Sequence, residues 1–243
     1  MSSDRDTVRS IEAHFSGLGA DYDESAFATP GQQWISDREL DAIRRATSDL
    51  PRSSRALDAG CGNGRISALL AEKPGAQITA LDPVAEMLRT AAARVSGLTA
   101  VQARLGDPLP FRSATFDAVV ATRVLKWVPD WQAALLELAR VVRPGGRIII
   151  EVTNRNSLAR LGYHGAPITL LSTAEIRDAG TVAGIAWHDV FAGSHLPYQL
   201  WKNARSTRLV RSAARMQHAC DRVLGAHGAR SLTLVGTRRA PWD

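Results

Sequence analysis

The feature that most restricts the fold is a glycine-rich segment between an apolar run and an amphipathic run. Residues 57–65 read Leu-Asp-Ala-Gly-Cys-Gly-Asn-Gly-Arg. Glycines at a strand-to-helix junction let the backbone turn tightly and approach a ligand, which the free amides of the helix start then face. The Gly-x-Gly-x-x-Gly pattern of dinucleotide enzymes would need glycine at Arg65, and no Gly-Lys-Ser/Thr follows as in a P-loop. The segment therefore predicts a ligand-binding turn of another kind.

Around this turn, short apolar runs alternate with longer amphipathic runs, which is typical of a parallel sheet covered by crossover helices. The predicted strands cover residues 55–58, 77–82, 98–103, 116–121, 147–152, 185–191 and 231–237. The predicted helices cover residues 66–72, 84–94, 131–142 and 173–178, with Pro144-Gly145-Gly146 closing the third of them. We expect an α/β fold, a Rossmann-like, seven-stranded, mostly parallel sheet with helices on both faces in a single domain.

Two segments fall outside the alternation and are candidates for covering a site. Residues 1–50 are predicted to form an N-terminal helical cap on a domain of residues 51–243, and residues 195–228 a helical insertion before the last strand. Within the insertion, residues 205–227 fit a helix with one apolar stripe, which we expect to pack into the core. The stripe consists of Leu209, Ala213, Met216, Cys220 and Val223.

Composition narrows the class of protein. The two cysteines, Cys61 and Cys220, lie far apart without a Cys-x-x-Cys or His/Cys cluster, which argues against a disulfide framework and a metal site. No apolar run is long enough to span a bilayer, and residues 1–6 lack the order of a secretory signal. We expect a cytoplasmic protein.

The net charge of +6 is unevenly distributed. Residues 199–243 hold 9 of the 30 basic side chains and 2 of the 24 acidic ones. A basic segment can bind nucleic acid or acidic lipid, but a solvated helix face has the same composition. We expect the solvated face and no nucleic-acid partner.

A carboxylate ends the second predicted strand. Asp82 lies 18 residues past Gly64, where it can accept both hydroxyls of a ribose in charge-assisted hydrogen bonds. It can equally cap the helix that begins near Pro83, and the two roles are compatible.

Five segments in order resemble the class I S-adenosylmethionine (SAM)-dependent methyltransferases, in particular the group with the ubiquinone and menaquinone biosynthesis enzymes. They cover residues 56–65, 81–88, 109–119, 124–130 and 138–146. The resemblance spans about residues 55–152, with weaker support to 237. It implies a transferase that uses SAM, releases S-adenosylhomocysteine (SAH) and methylates an oxygen, nitrogen or carbon of a small molecule. The 27 arginines against 3 lysines indicate a GC-rich bacterial genome. Secondary-metabolite, lipid or quinone metabolism would fit.

The resemblance also implies roles for individual positions. The loop 60–62, with Asp58 behind it, would hold the methionine part of SAM, Asp82 the ribose and Met87 one face of the adenine. Residues 105–107 would line the adenine edge. Thr122 and Arg123 would lie by the sulfonium and the acceptor. The full set of predicted SAM-binding residues is Tyr22, Trp34, Asp58, Gly60, Cys61, Gly62, Asp82, Pro83, Met87, Leu105, Gly106, Asp107, Thr122 and Arg123.

The sequence departs from the family pattern in two places. Leu105 stands where relatives often carry an acid, which leaves Asp107 to bond the adenine amino group. Lys126 and Trp127 replace two histidines, so a base at that position is absent.

Methyl transfer is an in-line displacement that depends on alignment, and a base is optional. The catalytic residues are therefore open, with candidate bases at His14, Tyr22, His164, His188, His195 and Tyr198, each of which also fits a structural or solvated role.

Other functions remain open at this stage. A nicotinamide-dependent oxidoreductase would share the sheet, but the glycine spacing argues against it. A nucleic-acid or protein methyltransferase would suit the basic segment, although no Asn/Asp-Pro-Pro-Tyr/Phe follows the fourth strand. A non-catalytic SAM-binding protein is the third alternative.

Overall fold

A computed structural model describes residues 11–13, 15–17, 26–157 and 168–240. Its strands are β1 (Arg55–Ala59), β2 (Gln77–Asp82), β3 (Thr99–Gln102), β4 (Phe116–Ala121), β5 (Val142–Thr153), β6 (Ile185–Ala192) and β7 (Ser231–Arg238). Its helices, counted from residue 30, are α1 (Pro30–Ala46), α2 (Arg65–Ala71), α3 (Ala85–Arg94), α4 (Trp131–Val141), α5 (Thr173–Val182), α6 (Tyr198–Asn203) and α7 (Thr207–Leu224).

The seven strands form one sheet in the order β3-β2-β1-β4-β5-β7-β6. β1 to β5 pair in parallel, whereas β7 runs antiparallel to both of its neighbours, β5 and β6. The predicted seven-stranded, mostly parallel sheet is confirmed, and the bounds of β2 and β4 agree with the prediction.

Helices cover both faces of the sheet because the central strands are apolar on both sides. Successive residues of a strand point to opposite faces. Ile149 of β5 accordingly packs in the cluster that holds Ile43 of α1, whereas Ile148 and Ile150 pack in the cluster that holds Leu138 of α4. The carboxyl ends of the parallel strands lie along one edge of the sheet, beside α1.

The glycine-rich end of the third predicted helix is wrong. α4 ends at Val141 and β5 begins at once with Val142, which pairs with Phe116. The next pair joins Arg147 to Ala118, so residues 143–146 form a bulge inside β5. α5 likewise runs to Val182, beyond the predicted end at 178.

The predicted core stripe of α7 is wrong at three of its five residues. Leu209, Met216 and Val223 of α7 are 56%, 49% and 82% exposed. The buried face holds Ala213 and Gln217. The Gln217 side chain accepts hydrogen bonds from Ser194 Oγ and His195 N, at 3.1 and 2.9 Å. These polar contacts orient the helix, and hydrophobic spacing does not reveal them.

No helix in the described ranges combines the length and the apolar character needed to cross a membrane.

Candidate functional site

Two cavities lie at the carboxyl ends of the parallel strands. The first cavity, of about 140 Å³, lies over the glycine loop and β2. The second cavity, of about 250 Å³, lies beside it under α1 and α6. Arg123, just past β4, lines both of them. The first is lined by Ile11, Glu12, Phe15, Phe27, Gly60, Cys61, Gly62, Asn63, Arg65, Ile66, Asp82, Pro83, Val84, Met87, Thr122, Arg123, Val124 and Trp127.

The glycine loop is tied to β2 through its backbone. The amides of Gly60 and Cys61 both donate to the carbonyl of Leu81, at 2.7 and 3.0 Å. Gly60 has a φ of +76°, and a Cβ there would lie 2.4 Å from Val124. Gly62 has a φ of +52°, and a Cβ there would meet no atom within 4 Å. Position 60 therefore needs glycine to fit the fold, whereas position 62 leaves open space at the cavity wall.

Asp82 lies at the end of β2 in the wall of the first cavity. Its Oδ1 accepts from the amide of Val84 and its Oδ2 from the amide of Gly62, both at 2.9 Å. Burial raises the pKa of this carboxyl group above its usual value. Each carboxylate oxygen has two acceptor sites, so both oxygens can take a further hydrogen bond from a ligand. The capping role and the ligand role are compatible in this geometry.

Asp58 lies behind the loop and does not line the cavity. Its side chain is buried and accepts a 2.6 Å hydrogen bond from Ser67 Oγ. Burial raises the pKa of Asp58 to about 6. Asn63, in the same loop, lines the cavity with a buried Nδ2 that has no hydrogen-bond partner among the described residues. Sequence reasoning included Asn63 in the motif without giving it a role.

The predicted adenine-binding residues separate into two groups. Pro83 and Met87 line the first cavity. Leu105 lines a smaller adjoining cavity that shares Pro83 with the first. Gly106 and Asp107 are absent from the lining of these cavities.

Trp34 lies elsewhere in the structure. Its ring stacks on that of Trp201 with centroids 4.3 Å apart and planes 5° apart. It lines neither the first nor the second cavity. Tyr22, His14 and His164, which were also predicted, lie outside the described residues.

Four residues before α1 line the first cavity, and the sequence did not predict them as lining residues. Ile11, Phe15 and Phe27 line the first cavity, and Phe15 meets Trp127 edge to face with centroids 5.6 Å apart. Glu12, also in the lining, forms a 2.6 Å ion pair with Arg104. The spacing of Ile11 and Phe15, four residues apart on helical backbone, is the available sequence signal.

An ion-pair cluster separates the two cavities. Glu39 Oε2 of α1 accepts from Arg65 at 2.6 Å and from Arg123 at 3.0 Å, and both guanidinium groups lie 5.1 Å from the ring centroid of Phe27. Burial opposes the charge of Glu39, but the two arginines prevail and lower its pKa. Arg123 has a φ of +57°, and its amide donates to Glu151 at 2.8 Å.

The second cavity is rich in charged side chains. It is lined by Ala26, Ile35, Arg38, Glu39, Ala42, Arg123, Lys126, Glu151, Thr153, Ala192, Gly193, Tyr198, Arg230, Ser231 and Thr233. Burial lowers the pKa of Lys126 to about 8. The guanidinium of Arg230 lies 5.0 Å from the ring centroid of Tyr198, whose hydroxyl accepts from Gln32 Nε2 at 2.6 Å.

Of the candidate bases that the structure describes, Tyr198 is the one that lines this cavity. His195 bonds Gln217 at 2.9 Å and the carbonyl of His227 at 3.1 Å. His188 contacts Asp189 and Thr237 on the outer strands. Both histidines are thus held in structural contacts outside the two cavities.

Residues 57–150 match the family described as methyltransferase domain. A ubiquinone biosynthesis O-methyltransferase of Xylella fastidiosa is 34% identical over 168 residues, covering 62% of this chain and 67% of that protein. A malonyl-[acyl-carrier protein] O-methyltransferase of Serratia marcescens is 36% identical over 166 residues, covering 67% of this chain and 60% of that protein. The alignments thus span about two thirds of these relatives.

Among solved structures, a methyltransferase of Haloferax volcanii in complex with the Trm112 methyltransferase activator has a TM-score of 0.67 and 22% identity. The likeness covers 93% of this chain and 98% of that one, and it shows a shared fold.

Proposed function

The chain belongs to the SAM-dependent methyltransferases, and from this premise we propose that it transfers a methyl group to a small-molecule acceptor held in the second cavity. The observation that carries the proposal is the junction of the two cavities at Arg123, at the carboxyl end of β4. Ligands of open α/β sheets bind outside these strand ends. A donor in the first cavity and an acceptor in the second would meet there.

The residues of the first cavity fit SAM. Asp82 keeps acceptor capacity on both oxygens, which suits the two hydroxyls of a ribose. The buried Nδ2 of Asn63 has no partner among the described residues and can donate to a ligand. The open space beside Gly62 lets a ligand approach the loop backbone. SAM, when bound, supplies a methyl group on a positively charged sulfur. A nucleophile can attack this methyl carbon, and the thioether SAH leaves.

The chain's own contribution would be alignment and exclusion of water. The side chains of Ile11, Phe15 and Trp127 give the first cavity an apolar wall. Thr122 and Arg123 would border the place where donor and acceptor meet. Holding two reactants in line removes much of the entropic cost of their encounter. Tyr198 is the candidate to take a proton from the acceptor, where the acceptor atom carries one.

The relatives support an acceptor of low molecular weight or one carried on a protein. Their names assign O-methylation in ubiquinone biosynthesis and on malonyl-[acyl-carrier protein]. From these relatives we extend to this chain only the class of reaction, methyl transfer. The cytoplasmic location stays a prediction.

The test is calorimetric titration of the purified protein with SAH and, separately, with NAD. We expect SAH to bind and NAD not to bind. Asp82→Asn should lower SAH affinity about a hundredfold, because the new amide would face two backbone donors and lose its charge-assisted bonds. Asp178→Asn, on the exposed surface of α5, is the matched control and should change the affinity little. Binding of NAD in place of SAH would refute the proposal.

Turnover separates the enzyme from a protein that only binds SAM. Release of SAH from SAM in the presence of an acceptor identifies an enzyme. SAH binding without turnover across a broad set of small-molecule, protein and nucleic-acid acceptors would favour the non-catalytic alternative.

A further inference from the structure

The second cavity has an excess of positive charge. Arg38, Arg123, Lys126 and Arg230 line it together with only two carboxylates, Glu39 and Glu151, so the lining carries a net charge of +2 when Lys126 is protonated. An enclosed space with one sign of charge favours a ligand of the opposite sign, since the low dielectric around it strengthens the attraction.

Both carboxylates are already engaged by the protein. Glu39 pairs with Arg65 and Arg123, at 2.6 and 3.0 Å. Glu151 accepts the amide of Arg123 at 2.8 Å. Glu39 Oε1 is buried with no hydrogen-bond partner among the described residues, but Arg65 and Arg123 already balance the charge of this carboxylate, so it is a poor partner for a cationic acceptor.

Of the arginines, Arg38 is also committed to the protein. It donates to the carbonyl of Gly193 at 2.6 Å and pairs with Asp221 at 2.9 Å. Lys126, in contrast, forms no ion pair within 4 Å with any residue that the structure describes. Its Nζ lies 5.3 Å from the ring centroid of Trp127. A half-buried ammonium with no ion pair within 4 Å is costly, and a bound oxyanion would relieve that cost.

We propose that the second cavity binds an acceptor bearing an oxyanion, a carboxylate or a phosphate group, with Lys126 and Arg230 as its counterions. The inference rests on the proposed function and adds the chemical class of the acceptor. Arg230 is placed for this role by its backbone, whose amide donates to the carbonyl of Ser194 at 2.6 Å, and by the ring of Tyr198 against its guanidinium.

The charge of Lys126 makes the proposal dependent on pH. Burial, with Arg123 and Arg230, lowers the pKa of Lys126 to about 8, while Glu151 of β5 and Glu39 of α1 oppose that shift. Below this pH the ammonium is charged and can pair with an oxyanion. As the pH rises through 8 it becomes neutral, so oxyanion affinity should fall, whereas the affinity for a neutral ligand should not.

The experiment is calorimetric titration of the SAH-loaded protein with benzoate, phenyl phosphate and benzamide at millimolar concentration. Benzamide has the shape of benzoate without its charge, and the two anions separate a carboxylate site from a phosphate site. We expect at least one anion to bind at pH 7 and benzamide to bind about tenfold more weakly or not at all.

Substitutions at position 126 test whether Lys126 supplies the positive charge that binds the anion. Lys126→Met should lower anion affinity about tenfold and abolish its fall above pH 8. Lys126→Arg should keep the affinity and also abolish the fall, because a guanidinium stays charged. Lys202→Met removes the same charge from an exposed site on α6 and should change nothing.

Each outcome bears on a different proposal. Failure of SAH to bind would refute the proposed function. With SAH bound, no binding of either anion, equal binding of benzamide, or full anion affinity in Lys126→Met would overturn the oxyanion site and leave the function standing. If Lys126→Met does not fold, the anion affinities of wild type and Lys126→Arg, measured against pH, still test the proposal. Only the wild type should lose affinity above pH 8.

Discussion

The two cavities adjoin, but different parts of the molecule build them. The first is dominated by a short stretch around β1 and β2, and backbone groups shape much of it, as with the amides of Gly60 and Cys61 on the carbonyl of Leu81. The second is made of side chains from α1, the ends of β4 to β6, α6 and the start of β7. Its members, from position 26 to position 233, are brought together only by the tertiary fold.

The difference teaches how donor and acceptor recognition can be kept apart in one sheet. A site made of backbone depends on glycine and on strand geometry, which few substitutions preserve. A site made of side chains on separate elements can change one residue at a time. We therefore expect variants of the first cavity to alter SAH binding together with folding, and variants of the second to alter acceptor binding.

Glu39→Gln should have the largest effect, because Glu39 pairs with Arg65, which lines the first cavity, and with Arg123, which lines both. Its loss leaves the guanidiniums of Arg65 and Arg123 without their carboxylate, which costs about 3–5 kcal/mol in the free energy of unfolding. Since the pKa of Glu39 is lowered by folding, its contribution is present above the usual value of 4.5 and is lost as the pH falls through the folded value. Urea unfolding at several pH values measures both effects.

The control for this prediction is Glu72→Gln, because Glu72 is exposed and lies 3.6 Å from Arg44. It should change stability by less than about 1 kcal/mol. Equal effects of the two substitutions would show that the ion pairs of Glu39 stabilise the fold no more than an exposed pair does.

Asp58→Asn should change the pH dependence of stability. Folding raises the pKa of Asp58 from 3.8 to about 6, so its favourable contribution is present below pH 4 and is lost as the pH rises through 6. The wild type should lose about 1–3 kcal/mol over this range through Asp58, and the variant should not. Thermal unfolding from pH 4 to 7 tests this, with the exposed Asp178→Asn as control. Parallel profiles for wild type and Asp58→Asn would contradict the prediction.

Gly60→Ala and Gly62→Ala should separate folding from binding within one loop. Both positions have positive φ, which costs alanine about 1–2 kcal/mol. At position 60 the methyl group also collides with Val124, so that variant should be the less stable in thermal unfolding. At position 62 the methyl group occupies open space at the cavity, so SAH affinity should fall about tenfold in a folded protein. Equal losses of stability in the two variants would argue against this division.

Trp34→Leu should have the smallest effect. Loss of the stack on Trp201 should cost about 1 kcal/mol of stability, and SAH affinity should stay the same. Phe27→Leu, in the wall of the first cavity, is the comparison and should weaken SAH binding severalfold. If Trp34→Leu weakens SAH binding as much as Phe27→Leu does, the result would support the predicted contact of Trp34 with SAM.

The sheet and the strand-end residues of the first cavity could be predicted from the sequence because their signals are local. The apolar run 116–121 and the carboxylate at Asp82 identify a buried strand and a strand end without knowledge of the rest. The second cavity could not be predicted, because no spacing relates Glu39 to Lys126 or Arg230. Gln217 on the buried face of α7 was also missed, since its partners are about 20 residues away in the sequence.

The position of β7 has a consequence for the order in which the chain folds. Among the strands that the structure describes, β6 pairs with β7 alone, and β7 pairs with β5 on its other side. β6 can therefore join the sheet only after β7, which follows it by some forty residues, has been synthesised. β1 to β5 need neither strand for their own pairing. On the ribosome the strands around the first cavity can pair first, and the second cavity is completed when Ser231 and Thr233 take their places.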